Sequence, residues 1–377
     1  MAGPLHNCEL DVIPSTQAAA PPTKVLIVDD SAVVRKLLGD ALRREPDIAV
    51  VGGAPDPFVA RDLILQHEPD VVTLDIEMPR MDGLTFLRRL MAHRPVPVIV
   101  LSSLTQRGSA TTIDALRAGA IDAIPKPDGP YSIPEVTGRL IQRIRAIRQS
   151  PPMRLRRAIG ASHGAGKAVP MPAAARRLGR TIDGVLALGA STGGTQAIEA
   201  LLTRLPIDGP PIVAVQHMPA GFTRAFANRL NGVCGMRVLE AAGGERLERG
   251  TVYVAPGDRH LTVERQGLHL VTRLTMGEPV HHQRPSVDVL YESLAGVRGV
   301  PIVAALLTGM GADGADGMVA LRRQGAETIA EDERSCVVFG MPREAIARGG
   351  ACHVATLFEM PTRIIDCFDR LSTRRAN

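Results

Sequence analysis

The chain has 377 residues, long for one domain, and its net charge of +5 invites a nucleic-acid reading that only the location of the charge can test. Hydrophobic residues make up 45%, but there is no Trp and aromatics reach only 3%, so the interior must be Val, Leu, Ile and Ala, as in parallel sheets covered by helices. Five Cys without a Cys-x-x-Cys argue against a disulfide framework or a zinc ribbon, and no apolar run approaches the roughly 18 residues of a membrane span.

Residues 1–23 read as an N-terminal extension without the basic start and apolar core of a signal peptide. The expected compartment is therefore the cytoplasm, with no membrane insertion. From Lys24 the pattern alternates. Strands are expected over Lys24–Val28, Ala49–Val51, Val71–Leu74, Val98–Leu101 and Ala123–Ile124. Helices are expected over Ser31–Arg44, Phe58–Gln66, Leu84–Met91, Ala110–Ala118 and Ile133–Ile147, with Ser31 and Asp56 as N-caps. Five β–α units imply a flavodoxin-like, doubly wound parallel sheet over 24–147. Its polar residues then converge, because parallel strands end at one edge. Asp29 and Asp30 follow the first strand, Asp75 ends the third, Ser102 the fourth and Lys126 the fifth. Clustered carboxylates need a cation, and an oxygen-only donor set suits Mg²⁺. A carboxylate beside Mg²⁺ and a lysine can attack a phosphoryl donor, with Ser102 and Lys126 contacting the new phosphoryl oxygens.

Val-Leu-Ile-Val-Asp-Asp-Ser, Leu-Asp-Ile-Glu-Met-Pro-Arg-Met-Asp-Gly and Ile-Pro-Lys-Pro resemble a two-component response-regulator receiver domain. The resemblance implies phosphorylation of Asp75 by a histidine kinase. It also implies Mg²⁺ held by Asp29 or Asp30 together with Asp75 and a backbone carbonyl, that of Glu77. The aromatic expected near the fifth strand is absent, and Ile121 or Ala123 stands there.

The basic charge sits in the next segment, 148–180. Between Ser150 and Thr181 there are seven Lys and Arg and no Asp or Glu, in a Pro-, Gly- and Ala-rich stretch that reads as a linker. No helix-turn-helix follows it, so no nucleic-acid partner is expected.

A second α/β domain with a mostly parallel sheet is expected over 181–373. Val185–Leu188 reads as a buried strand, followed by Gly189-Ala190-Ser191-Thr192-Gly193-Gly194 and a helix over Gln196–Leu202. The Gly-x-Ser-x-Gly spelling fits a nucleophile elbow, although a phosphate cradle fits it equally well. Two further strand ends decide between them. Pro211–Gln216 ends at His217, and Ile302–Leu307 leads into Thr308-Gly309-Met310-Gly311-Ala312-Asp313-Gly314. At one sheet edge Ser191 can act as nucleophile, His217 as base and Asp313 as the group that orients the imidazole. Amides in the two Gly-rich turns, at Thr192 and Met310, are candidate oxyanion donors. The order Ser…His…Asp separates this arrangement from the common α/β-hydrolase order. Helices are also expected over Phe222–Leu230 and Val287–Leu294 and after Gly314. Strands are expected over Thr251–Ala255, Leu261–Glu264 and Leu268–Leu274, with Glu327–Ala330 as the last buried one. His281 and His282, adjacent on an extended segment, point opposite ways and are read as surface or substrate contacts, whereas His260, Cys336, Asp332 and Glu333 are read as turn, core, wall or cap residues.

Leu-Gly-Ala-Ser-Thr-Gly-Gly, Val-Gln-His-Met-Pro, Arg-Pro-Ser-Val-Asp-Val-Leu, Leu-Thr-Gly-Met-Gly-Ala-Asp-Gly and Ser-Cys-Val-Val-Phe-Gly-Met-Pro resemble the chemotaxis protein-glutamate methylesterase domain. The resemblance implies hydrolysis of γ-glutamyl methyl esters on methyl-accepting chemoreceptors, deamidation of receptor glutamines, and the triad Ser191, His217 and Asp313. It implies no cofactor for the esterase itself. A phosphorylation-dependent interaction module with another output is the alternative.

Overall fold

The structure, a computed structural model, describes residues 21–79, 81–103, 105–126, 133–149 and 182–376. The N-terminal extension up to residue 20 and nearly all of the basic linker lie outside the described residues.

The first domain is a five-stranded parallel sheet in the order β2-β1-β3-β4-β5. Its strands are β1 (Thr23–Val28), β2 (Ile48–Ala54), β3 (Val71–Asp75), β4 (Val98–Ser102) and β5 (Asp122–Pro125). The helices between and after them are α1 (Ala32–Leu42), α2 (Pro57–His67), α3 (Gly83–His93), α4 (Gln106–Arg117) and α5 (Ile133–Gln149). Local chemistry starts α1 and α2 where expected. The Ser31 hydroxyl accepts from the Val34 amide, and the Asp56 carboxylate accepts from Phe58 and Val59. β3 and β4 are buried along their whole length, which a two-sided parallel sheet requires.

A second, seven-stranded sheet has the order β14-β13-β12-β6-β7-β9-β8, with every neighbouring pair parallel. Its central strands are β12 (Ile302–Leu306), β6 (Val185–Ala190) and β7 (Ile212–Gln216), and all are buried from end to end. The chain leaves β6 toward β7 and later returns to β12 on the other side. The order therefore reverses between β6 and β12, where open α/β sheets place their sites. On the far sides lie β8 (Arg237–Glu240) and β9 (Thr251–Val254), and β13 (Glu327–Glu331) and β14 (His353–Ala355). β10 (His260–Gln266) and β11 (His269–Thr275) form a separate antiparallel hairpin that turns at Gly267. The helices are α6 (Gly194–Leu202), α7 (Phe222–Val233), α8 (Val287–Ala295), α9 (Ala315–Arg323), α10 (Met341–Ala347) and α11 (Met360–Ala376). β8, α10, β14 and α11 are additions to the expected elements, and β14 lies outside the last fully buried strand.

The two domains share core. Leu116 of α4 and Phe222 and Phe226 of α7 belong to one contiguous buried apolar cluster, and Val337 packs against the core on the other face of the first sheet.

Candidate active site

Ser191 stands one residue beyond β6 and is 2% exposed. Its surroundings need glycine at two points, one in its own turn and one in the turn beside it. Gly193 has φ +78°, in the left-handed region, and there α6 begins without a side-chain cap. Gly309 approaches from the neighbouring turn so closely that a Cβ there would lie 2.8 Å from Ser191 Cβ. Gly309 thus brings its own turn, and the Met310 amide that follows, against the serine. Among the described residues neither the Thr192 nor the Met310 amide hydrogen finds an acceptor.

His217 follows β7 directly, and its Nε2 lies 2.6 Å from Asp313 Oδ2, both groups being buried. Asp313 also accepts from the Ser286 hydroxyl at 2.7 Å and from the Val287 and Asp288 amides at 2.7 and 3.0 Å. These donors are the cap and first turn of α8, so the carboxylate faces the positive end of a helix. Burial opposes its charge, but the His217 contact and these donors hold it well below the ordinary carboxylate range. Its neighbour Asp288 is pushed up to about 6 by burial and by the nearby Asp313 charge. Because Asp313 takes Nε2, the free ring nitrogen is Nδ1, which is buried without a hydrogen-bond partner.

Ser191 and His217 line one cavity of about 10 Å³ together with Thr112, Leu116, Ile121, Asp122 and Ala123 of the first domain. That volume holds about one water. The Ser191 hydroxyl accepts from Arg143 Nη1 of α5 at 3.4 Å. Arg143 Nε in turn lies 2.9 Å from Asp122, which also accepts from the Thr192 hydroxyl at 2.9 Å. The Gly193 amide donates to the Ile121 carbonyl, and the Gln196 side-chain amide to the Leu116 and Ala120 carbonyls. The structure thus brings Ser191, His217 and Asp313 together, but gives the serine a partner from the other domain.

At the first sheet's carboxyl edge, ligand atoms of Asp29, Asp30 and Asp75 lie within 4.8 Å of one another. Asp29 and Asp75 are fully buried, and each uses Oδ1 to accept a nearby amide, from Ser31 and Glu77. Lys126 Nζ lies 2.6 Å from Asp75 Oδ2 and 3.3 Å from Asp29 Oδ2, yet neither oxygen receives a well-directed hydrogen bond. Burial raises both carboxyls despite the lysine. Two undersatisfied carboxylate oxygens beside a third carboxylate form a donor set that fits Mg²⁺. Ser102 is buried there, its hydroxyl directed at the Gly108 carbonyl of α4.

The competing histidines take structural places. His260 accepts from the Ser286 amide and lies 3.0 Å from the Glu278 carbonyl. His281 and His282 do not sit on an extended segment as expected. Both have positive φ in a tight turn closed by Val280 and Gln283, and His281 meets Asp288 at 3.2 Å. Cys336 is buried, and Asp332 caps and pairs with Arg334. Arg143, Asp122 and Ser286 are site residues that strand-end reasoning misses. Only Ser286 had a readable signal, a serine just before an apolar helical run.

An acidic receiver sheet joined to a parallel-sheet domain with a Ser-His-Asp cluster defines a response regulator with a hydrolase output domain. The family model for the response regulator receiver domain matches residues 25–137, and that for CheB methylesterase matches 186–364. A protein-glutamate methylesterase/protein-glutamine glutaminase 2 of Syntrophus aciditrophicus is 48% identical over 91% of this chain and 98% of its own. The corresponding protein 1 of Cupriavidus metallidurans is 49% identical over 91% and 95%. The crystal structure of the Thermotoga maritima CheB methylesterase catalytic domain is 37% identical, covers 49% of this chain and 99% of its own, and has a TM-score of 0.48. The chain belongs to the protein-glutamate methylesterase family. No helix among the described residues is long and apolar enough to cross a membrane.

Proposed function

We propose that this chain is a cytoplasmic, phosphorylation-gated serine esterase. It hydrolyses γ-glutamyl methyl esters on methyl-accepting chemoreceptors, releases methanol, and deamidates receptor glutamines. Residues 24–147 are its regulator, 181–373 its enzyme, and 148–180 the linker. The observation that carries this reading is one cavity, shared by Ser191 and an Asp313-braced His217 and walled by the receiver.

Ser191 Oγ attacks the γ-carbonyl carbon, and its proton passes to His217 Nδ1, the nitrogen that Asp313 leaves free. Asp313 holds the proton on Nε2 and stabilises the imidazolium. The carbonyl oxygen becomes an oxyanion held by the Thr192 and Met310 amides; one such donor is typically worth about 10²–10³ in rate. Collapse breaks the ester C–O bond, and the imidazolium returns the proton to the departing methoxide as methanol. Water, deprotonated by the same base, then cleaves the acyl-serine to free glutamate. A glutamine side chain follows the same course with ammonia leaving.

Access is the regulated quantity. A cavity of one water cannot admit a glutamyl ester, so the receiver has to withdraw. Asp75 accepts a phosphoryl group from a histidine kinase. Asp29, Asp30 and Asp75 would hold Mg²⁺, which would supply charge neutralisation for phosphoryl transfer. Lys126 and Ser102 then bind the phosphoryl oxygens. β5 carries Lys126 just beyond its C-terminal end and Asp122, the residue on Thr192, at its start. A new charge that re-seats Lys126 thereby acts on the strand that grips the Ser191 turn, a local event biasing a two-state interface.

Methanol release from methylated receptors tests the assignment. Ser191→Ala should abolish it with and without a phosphodonor, and retained activity would refute Ser191 as nucleophile.

A further inference from the structure

Glu331, the last residue of β13, is completely buried and has no role in the chemistry above. A buried carboxyl is costly, and burial pushes this one up to about 7. Its partners are neutral donors. Oε2 accepts from the Thr308 amide at 2.8 Å and Oε1 from the Ser335 hydroxyl at 2.9 Å. The titratable groups facing it are the Cys336 thiol and the Asp332 carboxylate, the latter tied to Arg334.

Thr308 is the hub of the Ser191 turn. Its carbonyl accepts from the Ser191 amide at 3.0 Å. Its hydroxyl oxygen lies 3.0 and 3.2 Å from the Thr192 and Val338 carbonyls, to which it can donate, and accepts from the Val338 amide at 2.9 Å. The next residues are Gly309, which abuts Ser191 Cβ, and Met310. One amino acid therefore grips the serine turn at two successive residues and leads directly into the Gly309–Met310 turn. Its own amide is fixed by Glu331.

We infer that Glu331 is a positioning residue for the esterase: by holding the Thr308 amide it sets the Ser191 turn and the Met310 amide in register with each other. This rests on the reading of Ser191 as nucleophile. The role asks for an acceptor, not for a charge. A glutamine can accept from Thr308 with its oxygen and donate to Ser335 with its amide, and Ser335 can then turn its proton to the Asp332 carbonyl, 3.3 Å away. An alanine leaves the Thr308 amide buried without a partner and lets the turn drift. Misplacement by about 1 Å can cost about 10²-fold in rate.

The test uses the full chain with Mg²⁺ and a small phosphodonor, and reads kcat and KM for methanol release per mole of folded protein. Glu331→Ala should lower kcat by about 10- to 100-fold with KM nearly unchanged, and Glu331→Gln should stay within about threefold of the unmodified chain. Thr308→Val, which removes the hydroxyl tie, should also lower kcat, and Thr308→Ser should restore it. If Glu331→Ala does not fold, the two Thr308 variants and Glu331→Gln still decide. A folded Glu331→Ala with unaltered kcat overturns the inference, as does Glu331→Gln impaired as severely as alanine, or a fully active Thr308→Val. A Ser191→Ala chain run alongside separates the two readings: activity there would sink the nucleophile assignment, whatever Glu331 does.

Discussion

Removing Arg143 should open the gate without phosphorylation. Its guanidinium lies 2.9 Å from Asp122, and the two side chains are only 16% and 15% exposed, so the pair is poorly screened. The same side chain occupies the Ser191 hydroxyl. Arg143 and Asp122 both belong to the receiver, so what truncation takes from the interface is the Arg143–Ser191 hydrogen bond, and a hydrogen bond to a charged group is typically worth about 1.5–3 kcal/mol. Asp122 keeps its Thr192 hydroxyl partner, which favours the lower end. About 2 kcal/mol is a factor of about 30 in the closed-to-open equilibrium. Arg143→Ala should therefore raise basal methanol release by about 10- to 30-fold, with the phosphorylated rate of the unmodified chain as its ceiling. Asp122→Asn, which retains an acceptor for Thr192 but removes the charge, should raise it less. The assay is methanol release from methylated receptors without phosphodonor, repeated in an Asp75→Asn background to exclude stray phosphorylation. A basal rate within twofold of the unmodified chain, with normal phosphorylated activity, would refute the clasp.

Three further outcomes are expected. Asp313→Asn should keep the fold but lose about 10³- to 10⁴-fold in kcat, because an amide misassigns the imidazole tautomer; a loss under tenfold in the same assay would show that His217 needs no carboxylate. Asp75→Asn, and separately chelation of Mg²⁺ in the unmodified chain, should leave the basal rate intact and abolish stimulation by a small phosphodonor; persistent stimulation in either would move phosphorylation elsewhere. Glu331→Gln should gain stability over the unmodified chain as pH rises. Burial lifts the folded pKa to about 7 from 4.5, so between these values the unfolded chain ionises first and holds fewer protons, and stability falls with rising pH. The difference approaches about 3 kcal/mol above pH 7 and vanishes below pH 4.5. Denaturant unfolding of the C-terminal domain at pH 5 and pH 8 reads it, and an equal gap at both would refute the raised pKa.

Strand ends were the most legible feature of this chain. Parallel strands buried on both faces read as unbroken apolar runs, and the residue after each run must stand at the catalytic edge. That is why Ser191, His217 and the Asp29–Asp75 cluster could be placed without contacts. Asp313 was harder, since it stands seven residues beyond β12 at the end of a Gly-rich turn. The α8 donors to Asp313 were half-legible, since Ser286 announces a helix start but not what the helix points at. The spacing of Met360, Ile364, Cys367, Phe368 and Leu371 was an ordinary helical signal for α11, which strand-end reasoning passes over. Arg143 was not legible at all. It is one of several arginines on α5, 48 residues before Ser191, and only the packing of one domain on the other brings it to the serine.

The Ser191 turn is held from three sides, and each side answers a different question. Glu331 acts from inside the domain through Thr308 and sets where the hydroxyl is. Asp313, fixed by the start of α8, sets which nitrogen of His217 is left to take the serine proton in the proposed mechanism. Arg143 and Asp122 reach it from the receiver and set whether it is free. The first two sides use buried groups within one domain and do not depend on the gate. The third competes with them directly: Arg143 donates to the same oxygen that must donate to His217 Nδ1, and Ile121 accepts the amide of Gly193 at the start of α6. Inhibition here is therefore an exchange of hydrogen-bond partners as well as a closed door. A receiver loosened enough to admit solvent, but still holding Arg143 on Ser191, would remain inactive.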